Sequence, residues 1–113
     1  MFWKRAVGTD IVEVSSFRKY DIDKQHHFLQ KVFTSYELDY CFLHKDPSTH
    51  LAGIFAGKEA VSKALGVLKY PSILIEIRHD RNGKPEAYTN SKKLKIALSI
   101  SHTKEIAVAV AVG

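Results

Sequence analysis

Residues 50–65 of the chain read HLAGIFAGKEAVSKAL, the longest helical pattern in the sequence. At 100° per residue its apolar positions fall on one face, which predicts an amphipathic helix with a stripe directed at the core. Ser48 or Thr49 is expected to cap the start of this helix, and Gly66 is expected to end it. The stripe comprises Ile54, Gly57, Val61, Ala64, Leu65 and Leu68.

Strand patterns lie on both sides of this helix. Before it, residues 6–14 are rich in β-branched side chains, and one or two short helices are expected between residues 16 and 33. Thr34 and Glu37 have the spacing of a capping box, so another short helix should follow them. After the long helix come predicted strands at residues 73–78, 87–88 (an edge strand, because of Pro85), 95–101 and 106–112. This order of elements predicts an α+β fold with an antiparallel sheet, a long helix and shorter helices.

Length and charge narrow the class of protein without choosing a function. The chain has 113 residues and a net charge of +5. We expect one domain, residues 1–113, whose basic surface favours nucleic acid, phosphorylated cofactors or acidic proteins. Cys41 is the only cysteine, so one chain can form neither a disulfide nor a cysteine-rich zinc site. The single thiol and the absence of a signal-peptide or membrane-span pattern predict a cytoplasmic protein without a membrane partner.

Two acidic residues and two lysines are the first candidates for chemistry. Asp10 lies in an otherwise apolar strand, where it either caps the next element or serves as a ligand for a hard cation such as Mg²⁺. Glu59 and Lys63 are four residues apart, which fits an ordinary surface ion pair as well as a binding site. Small residues at Gly53 and its neighbours on the helix favour a close ligand or packing element. Lys58 would add a second cation nearby.

Two further segments suggest an anion site. The turn at Gly83-Lys84-Pro85 is either a simple hairpin turn or a backbone nest whose lysine binds phosphate. His102, followed by Thr103, stands at the end of a predicted strand with hydroxyl groups nearby. A single histidine in a hairpin is more often a surface residue than a ligand. Taken separately, neither segment distinguishes structure from function.

Taken together, four segments strongly resemble the holo-acyl-carrier-protein synthases, the small bacterial-type 4′-phosphopantetheinyl transferases. They are GTDIVE at residues 8–13, FAGKEAVSKALG at 55–66, NGKP at 82–85 and SISHT at 99–103. The resemblance covers nearly the whole chain, and it implies one half of the pseudo-dimer fold found in larger transferases of this type. It also implies transfer of 4′-phosphopantetheine from coenzyme A to a serine of acyl carrier protein in lipid synthesis, with release of adenosine 3′,5′-bisphosphate.

The resemblance assigns roles to the candidate residues. Asp10 and Glu59 would hold Mg²⁺ and, with Lys63, form the catalytic group. The residues implied to bind the coenzyme or its phosphates are Lys58, Lys63, Gly83, Lys84, Pro85, His102 and Thr103. A basic segment with Arg18, Lys19 and Lys24 would dock the acidic carrier protein. Many relatives have an arginine that contacts the coenzyme where this chain has Ile54.

The last strand predicts an oligomer. Residues 106–112 are apolar on both faces, with valines on one and alanines on the other, so both faces should be covered. The chain has room for one half of the larger transferases, and the small synthases are typically homotrimers with shared sites. We therefore expect a homotrimer.

Two other functions compete with this hypothesis. A basic nucleic-acid-binding module or Mg²⁺-dependent nuclease fits the charge, although nucleases of the Asp…Glu-x-Lys type place the lysine two residues after the acid. An inactive interaction subunit that keeps the fold is the third possibility. The resemblance favours coenzyme A and acyl carrier protein as partners and no nucleic acid.

Overall fold

The computed structural model of the protein describes residues 5–113. Residues 1–4, where no targeting segment is expected, lie outside the described residues. The helices are α1 (His27–Val32), α2 (Ser35–Phe42) and α3 (Pro47–Leu65), with 3₁₀ helices at Val14–Tyr20 and Ser72–Leu74. The strands are β1 (Val7–Glu13), β2 (Glu76–His79), β3 (Pro85–Thr89), β4 (Lys92–Lys93), β5 (Ala97–His102) and β6 (Ile106–Val112).

The strands form two antiparallel sheets of three strands each. One sheet has the order β1-β6-β5, and the other has the order β2-β3-β4. The α+β class is therefore confirmed, whereas the strands expected in one sheet divide between two. The strand that follows Pro85 is the middle strand of its sheet, not an edge strand. Its partner β4 pairs only with Tyr88 and Thr89, so Pro85 at the other end faces a single neighbour, His79.

Helix α3 crosses the first sheet at very short range. A Cβ atom at Gly8 of β1 would lie 1.9 Å from the carbonyl oxygen of Ala60, and one at Gly57 would lie 2.9 Å from Cδ1 of Ile100. At Gly8 only glycine permits the approach, because the nearby atoms belong to the backbone of α3, whereas at Gly57 the end of the Ile100 side chain could move. The small residues of α3 therefore serve a packing element, the sheet, and the N-terminal half of α3 lies over β5 while its C-terminal half lies over β1.

The two faces of β6 have different environments. Ala107, Ala109 and Ala111 are buried on the α3 side. Val108 and Val110 point outward and are 37% and 40% exposed. The predicted division into valine and alanine faces is confirmed, and within the described chain only the alanine face is covered.

The ends of α3 differ partly from expectation. Gly66 ends the helix with φ of +108°, as predicted. Ser48 and Thr49, expected as caps, lie inside the first turn, because Asp46 precedes the helix and Pro47 occupies its first position. The backbone N–H and hydroxyl of Ser48 instead donate to Asp21. Leu68, placed in the core stripe by periodicity, is fully exposed because the helix has already ended.

Other elements follow their local signals. Thr34 and Glu37 form the predicted capping box, with both reciprocal hydrogen bonds present. The turn at residues 102–105 joins β5 to β6. Ile73 and Leu74, expected in a strand, lie in an exposed 3₁₀ turn, and the strand begins at Glu76. Within the described part of the chain, no helix has the length and apolar character needed to cross a bilayer.

Candidate active site

Asp10 and Lys63 form an ion pair where β1 meets α3, and Glu59 lies nearby in sequence on the same helix. Nζ of Lys63 lies 3.0 Å from Oδ1 of Asp10 and donates to the carbonyl oxygen of Thr9 at 3.1 Å. Glu59 is half-buried one helical turn before Lys63, on the same flank of α3. The close contact between Gly8 and Ala60 brings the strand and the helix together at this point. Within residues 5–113 the ion pair is Asp10–Lys63, and the expected helical pair Glu59–Lys63 is not formed.

The donor set of this group suits a hard divalent cation. Two carboxylates supply oxygen ligands, and Mg²⁺ is usually held by one or two carboxylates, with waters and substrate phosphates completing its shell. Residues 5–113 contain no cluster of three or more histidine, cysteine, aspartate or glutamate side chains arranged to hold a metal by themselves. Asp10 and Glu59 thus fit Mg²⁺ bound together with a phosphate-bearing ligand, beside a lysine that already contacts one carboxylate.

A second group of predicted residues lines a cavity of about 170 Å³ on the other side of α3. Gly83, Pro85 and His102 are in its wall, together with Gly53 and Ile54 of the helix. Gly83 has φ of +85°, and its N–H donates to the carbonyl oxygen of Asp80, which closes the predicted turn. Three predicted residues, from two separate sequence motifs, therefore line one cavity.

Histidines that belong to none of the four motifs also lie at this cavity. His50 and His79 line it, and His44 stacks on His50 with 3.7 Å between ring centroids. The ring of Tyr40 stacks on His79 at 3.9 Å, and His102 meets His50 edge to face at 5.4 Å. The residues lie far apart in sequence, and the only available signal was the presence of six histidines in 113 residues.

Burial and mutual repulsion keep part of this cluster neutral. Desolvation, followed by the charges of His44 and His102, lowers the pKa of His50 to about 4, although Asp46 opposes the shift. The pKa of His79 is also lowered, first by desolvation and then by His44. At neutral pH both imidazoles are therefore uncharged hydrogen-bonding groups.

Lys58 does not belong to either group, which corrects its assignment to the coenzyme site. Its side chain is 1% exposed, and its Nζ donates to Oε1 of Glu37 at 2.7 Å. At 3.6 residues per turn, Lys58 projects about 140° away from Lys63 around the helix. Glu37 also accepts hydrogen bonds from the N–H groups of Thr34 and Ile77, so the pair joins α2, α3 and β2.

Thr103 and Lys84 are also separate from the histidine-lined cavity. The hydroxyl of Thr103 accepts hydrogen bonds from the N–H groups of Glu105 and Ile106, and Thr103 lines a different hollow with Arg18. Lys84 is exposed, and its N–H donates to Asp80. The predicted roles of these residues at the coenzyme therefore have no support from the cavity itself.

The predicted docking segment is only partly free to meet a partner. Arg18 donates to Asp46 and to the carbonyl oxygen of Lys104, and Lys24 pairs with Asp39 at 2.6 Å. Lys19 is exposed, with Nζ 5.3 Å from the ring centroid of Tyr20. Of the three cations, Lys19 is the one whose charge meets no carboxylate within the described chain.

The two functional groups occupy opposite edges of the first sheet. Asp10 is on β1 and His102 is on β5, with β6 between them. Neighbouring strands lie about 4.8 Å apart, so two strand spacings and the body of α3 separate the groups. Predicted site residues are found in both groups, and the fold places the groups on different flanks of one chain.

The amino-acid sequence is similar to known proteins over nearly its whole length. Residues 6–111 match the model of the 4′-phosphopantetheinyl transferase superfamily. A holo-[acyl-carrier-protein] synthase of Caldanaerobacter subterraneus is 42% identical, over 95% of this chain and 92% of its own length. One from Thermodesulfovibrio yellowstonii is 45% identical, over 94% and 95%.

Solved structures of such synthases have the same fold. The Bacillus anthracis enzyme, in complex with CoA (3′,5′-ADP), aligns with a TM-score of 0.77 and 35% identity, over 95% of this chain and 93% of that one. The Helicobacter pylori enzyme, in complex with coenzyme A, gives 0.77 and 31%, over 93% and 96%. The resemblance inferred from four motifs is thereby confirmed, and the chain belongs to the 4′-phosphopantetheinyl transferase superfamily.

Proposed function

We propose that the protein transfers the 4′-phosphopantetheine group of coenzyme A to a serine of an acyl carrier protein, releases adenosine 3′,5′-bisphosphate and requires Mg²⁺. The observation that carries this proposal is the ion pair of Asp10 with Lys63 at the contact of β1 with α3, with Glu59 one helical turn before Lys63. The names of its relatives, and the coenzyme bound in two of the similar structures, support the same activity.

The residues of this group match what phosphoryl transfer requires. Such reactions depend mainly on positioning and on neutralising charge at the phosphate oxygens. Lys63, half-exposed and held beside Asp10, can move its ammonium to a diphosphate oxygen without losing a buried partner. When bound, Mg²⁺ would neutralise diphosphate charge. Asp10 and Glu59 would hold it, and the acceptor serine would come from the carrier protein.

The proposed coenzyme contacts in the second group are Gly83, Pro85 and His102. Their cavity holds several times the roughly 30 Å³ that one water occupies, which leaves room for a sugar phosphate. The competing nuclease hypothesis has no specific support, since Glu59 and Lys63 keep a spacing of four and Lys58 is buried.

We further propose that the complete site forms between copies of the chain in a homotrimer. The first support is the separation of the two functional groups on opposite edges of one sheet. The second is the outward face of that sheet, where Val7, Ile11, Val108 and Val110 are between 37% and 66% exposed. A soluble chain seldom leaves such a contiguous apolar patch uncovered. A neighbouring copy packed on this face would cover the patch.

Mass spectrometry tests the activity directly. The purified protein is incubated with coenzyme A, an apo acyl carrier protein and Mg²⁺, and the carrier is examined for a phosphopantetheine adduct. We expect the adduct with Mg²⁺ and little of it with EDTA. Absence of the adduct with several carrier proteins, despite a folded enzyme, would contradict the proposed function.

The oligomer is tested by light scattering on the wild type and on Val110→Asp. We expect a trimer of 12.8 kDa chains for the wild type, and dissociation together with loss of activity for the variant. Leu68→Asp, at a fully exposed position beyond the end of α3 and outside the first sheet, is the matched control and should leave the assembly intact. A fully active monomer would disprove both the trimer and the shared site.

A further inference from the structure

The histidine-lined cavity contains more imidazole than coenzyme binding through His102 alone requires. His44 follows α2, while His50, His79 and His102 come from α3, β2 and β5, so four separate parts of the chain converge there. Nδ1 of His79 is buried and has no hydrogen-bond partner within residues 5–113. A buried nitrogen of this kind costs free energy unless a ligand or water satisfies it.

The walls of the cavity lack permanent positive charge. Among the described residues that line it, none is lysine or arginine, and position 54 is occupied by isoleucine. Among the residues that line the cavity, the imidazoles are therefore the groups that can become positively charged. Tyr40 and Thr49 add hydroxyl groups that can donate hydrogen bonds.

Titratable groups face the cluster from several elements of the fold, and one of them is Tyr36 of α2, whose hydroxyl accepts a hydrogen bond from the N–H of His79. Tyr40 and His44 face it from α2 and the turn that follows, Asp46 and His50 from the start of α3, His79 and Asp80 from the end of β2, and His102 from β5. The acids raise the imidazole pKa values, and the histidines lower one another's. Without a ligand, the effects that lower the two pKa values outweigh those that raise them, so His50 and His79 are neutral at pH 7.

An anion that binds in this cavity would favour protonation of the imidazoles. A negative charge close to the rings favours their protonated form and raises their pKa values. Coenzyme A has two anionic centres, a diphosphate and a 3′-phosphate. The diphosphate belongs with Asp10, Glu59 and Lys63 in the proposed function, so the 3′-phosphate is the group left for the histidines.

We propose that His44, His50 and His79, with His102, form a seat for the 3′-phosphate of coenzyme A, and that they take up protons when the coenzyme binds. The inference rests on the proposed function and adds to it three binding residues and a proton linkage. His50 and His79 contact the phosphate, and His44, stacked on His50, shares the charge.

The sign of the linkage follows from the neutral resting state. Since protonation accompanies binding, coenzyme affinity rises as the pH falls, by up to about tenfold per pH unit for each proton taken up. A phosphate monoester loses its second proton near pH 6, so between pH 7 and 8 the ligand keeps its charge and the imidazoles alone titrate. At pH 6 the phosphate is itself partly protonated, which works against the rise in affinity. Dephospho-coenzyme A, which lacks the 3′-phosphate, should show little of this dependence.

Isothermal titration calorimetry tests the proposal without any variant. Coenzyme A and dephospho-coenzyme A are titrated into the wild-type protein at pH 6, 7 and 8, in two buffers of different ionisation enthalpy. We expect proton uptake and a Kd that rises several-fold per pH unit for coenzyme A only. A flat Kd without proton uptake, or an equal pH dependence for both ligands, would overturn the inference while leaving the proposed function intact.

Variants locate the effect in the cluster. His50→Gln and His79→Gln keep a hydrogen-bonding side chain but cannot titrate, so we expect weaker binding at pH 6 and nearly unchanged binding at pH 8. His27→Gln, on the exposed surface of α1, is the matched control and should keep the wild-type profile. Wild-type pH profiles in both cluster variants would overturn the inference. Failure of coenzyme A to bind at any pH would instead contradict the proposed function.

Discussion

Two lysines on the same helix, Lys58 and Lys63, form ion pairs of nearly equal length in opposite environments. Lys58 lies 2.7 Å from Glu37, with both side chains at most 1% exposed. Lys63 lies 3.0 Å from Asp10, with the two side chains 49% and 16% exposed. The distances alone do not distinguish the pairs. Solvent access does, because it determines whether the charges can exchange partners.

The buried pair is structural. Removing Lys58 and Glu37 from water costs free energy. Their ion pair offsets this cost only because the N–H groups of Thr34 and Ile77 also donate to Glu37. Burial raises the pKa of Glu37, while Lys58 and these N–H groups oppose the shift. The half-exposed pair contributes little to stability and is free to rearrange around a ligand.

The largest expected effect is at the buried pair. Lys58→Ala should lower the free energy of unfolding by about 3–5 kcal/mol, because it leaves the Glu37 carboxylate buried without its cation. Urea unfolding measures the change. The double variant Glu37→Gln/Lys58→Met should recover much of the loss. If Lys58→Ala changed the free energy of unfolding by less than about 1 kcal/mol, the buried and the half-exposed ion pair would contribute similarly to stability, which would contradict the prediction.

The second effect is the reverse of the first. Lys63→Ala should change unfolding by less than about 1 kcal/mol, as expected for an exposed pair. Turnover should fall on the order of 10²-fold or more, because a charge that stabilises the transition state is lost. Lys93→Ala removes an ion pair to Glu86 of similar exposure and is the matched control. Equal, small effects of both variants on turnover would assign Lys63 an ordinary surface role.

A third, smaller effect concerns the carrier-protein surface. Lys19→Glu should raise KM for the carrier protein several-fold at low salt and leave coenzyme binding unchanged, because exposed charges steer acidic partners over about one Debye length. Arg18→Glu would in addition disrupt bonds to Asp46 and Lys104, so stability must be measured with it. Lys92→Glu, exposed on β4, is the control. An unchanged, salt-independent KM for Lys19→Glu would contradict the proposed role of this surface in docking.

The smallest effect is a pH dependence of stability at His50. Its folded pKa of about 4 lies below the ordinary 6.5, so between these values the unfolded chain binds the proton more strongly. Stability from this group is therefore complete above pH 6.5 and is lost as the pH falls towards 4. Denaturation of the wild type and His50→Phe at pH 7.5 and 4.5 isolates the effect. Parallel losses in both proteins would show that His50 makes no contribution.

Local patterns in the sequence determined much of this fold. The capping box at Thr34 and the glycine stop at Gly66 appear as predicted, because both depend on contacts within a few residues. The alternation of residues 106–112 correctly separated an alanine face from a valine face. The predicted cap of α3 was wrong for the opposite reason, since Ser48 donates a hydrogen bond to Asp21, which is 27 residues away in sequence.

The candidate site divides in the same way. Asp10, Glu59, Lys63 and His102 were identified from motifs, because their chemical types and spacings are specific to one family of transferases. Lys58 stands beside Glu59 in the same motif, yet it faces the core. Motif membership alone could not show this, since the direction of a side chain depends on how α3 is rotated against its neighbours.

By itself, the sequence determined the family and the class of fold and indicated candidate residues for the site, since these follow from short-range pattern and residue type. Only the tertiary structure decided which lysine is buried, which edge of the sheet holds each group, and that four histidines meet in one cavity. Those features depend on contacts between residues tens of positions apart. Such contacts form only when α3 packs on the sheet, and at Gly8 the absence of a side chain lets β1 approach the backbone of the helix.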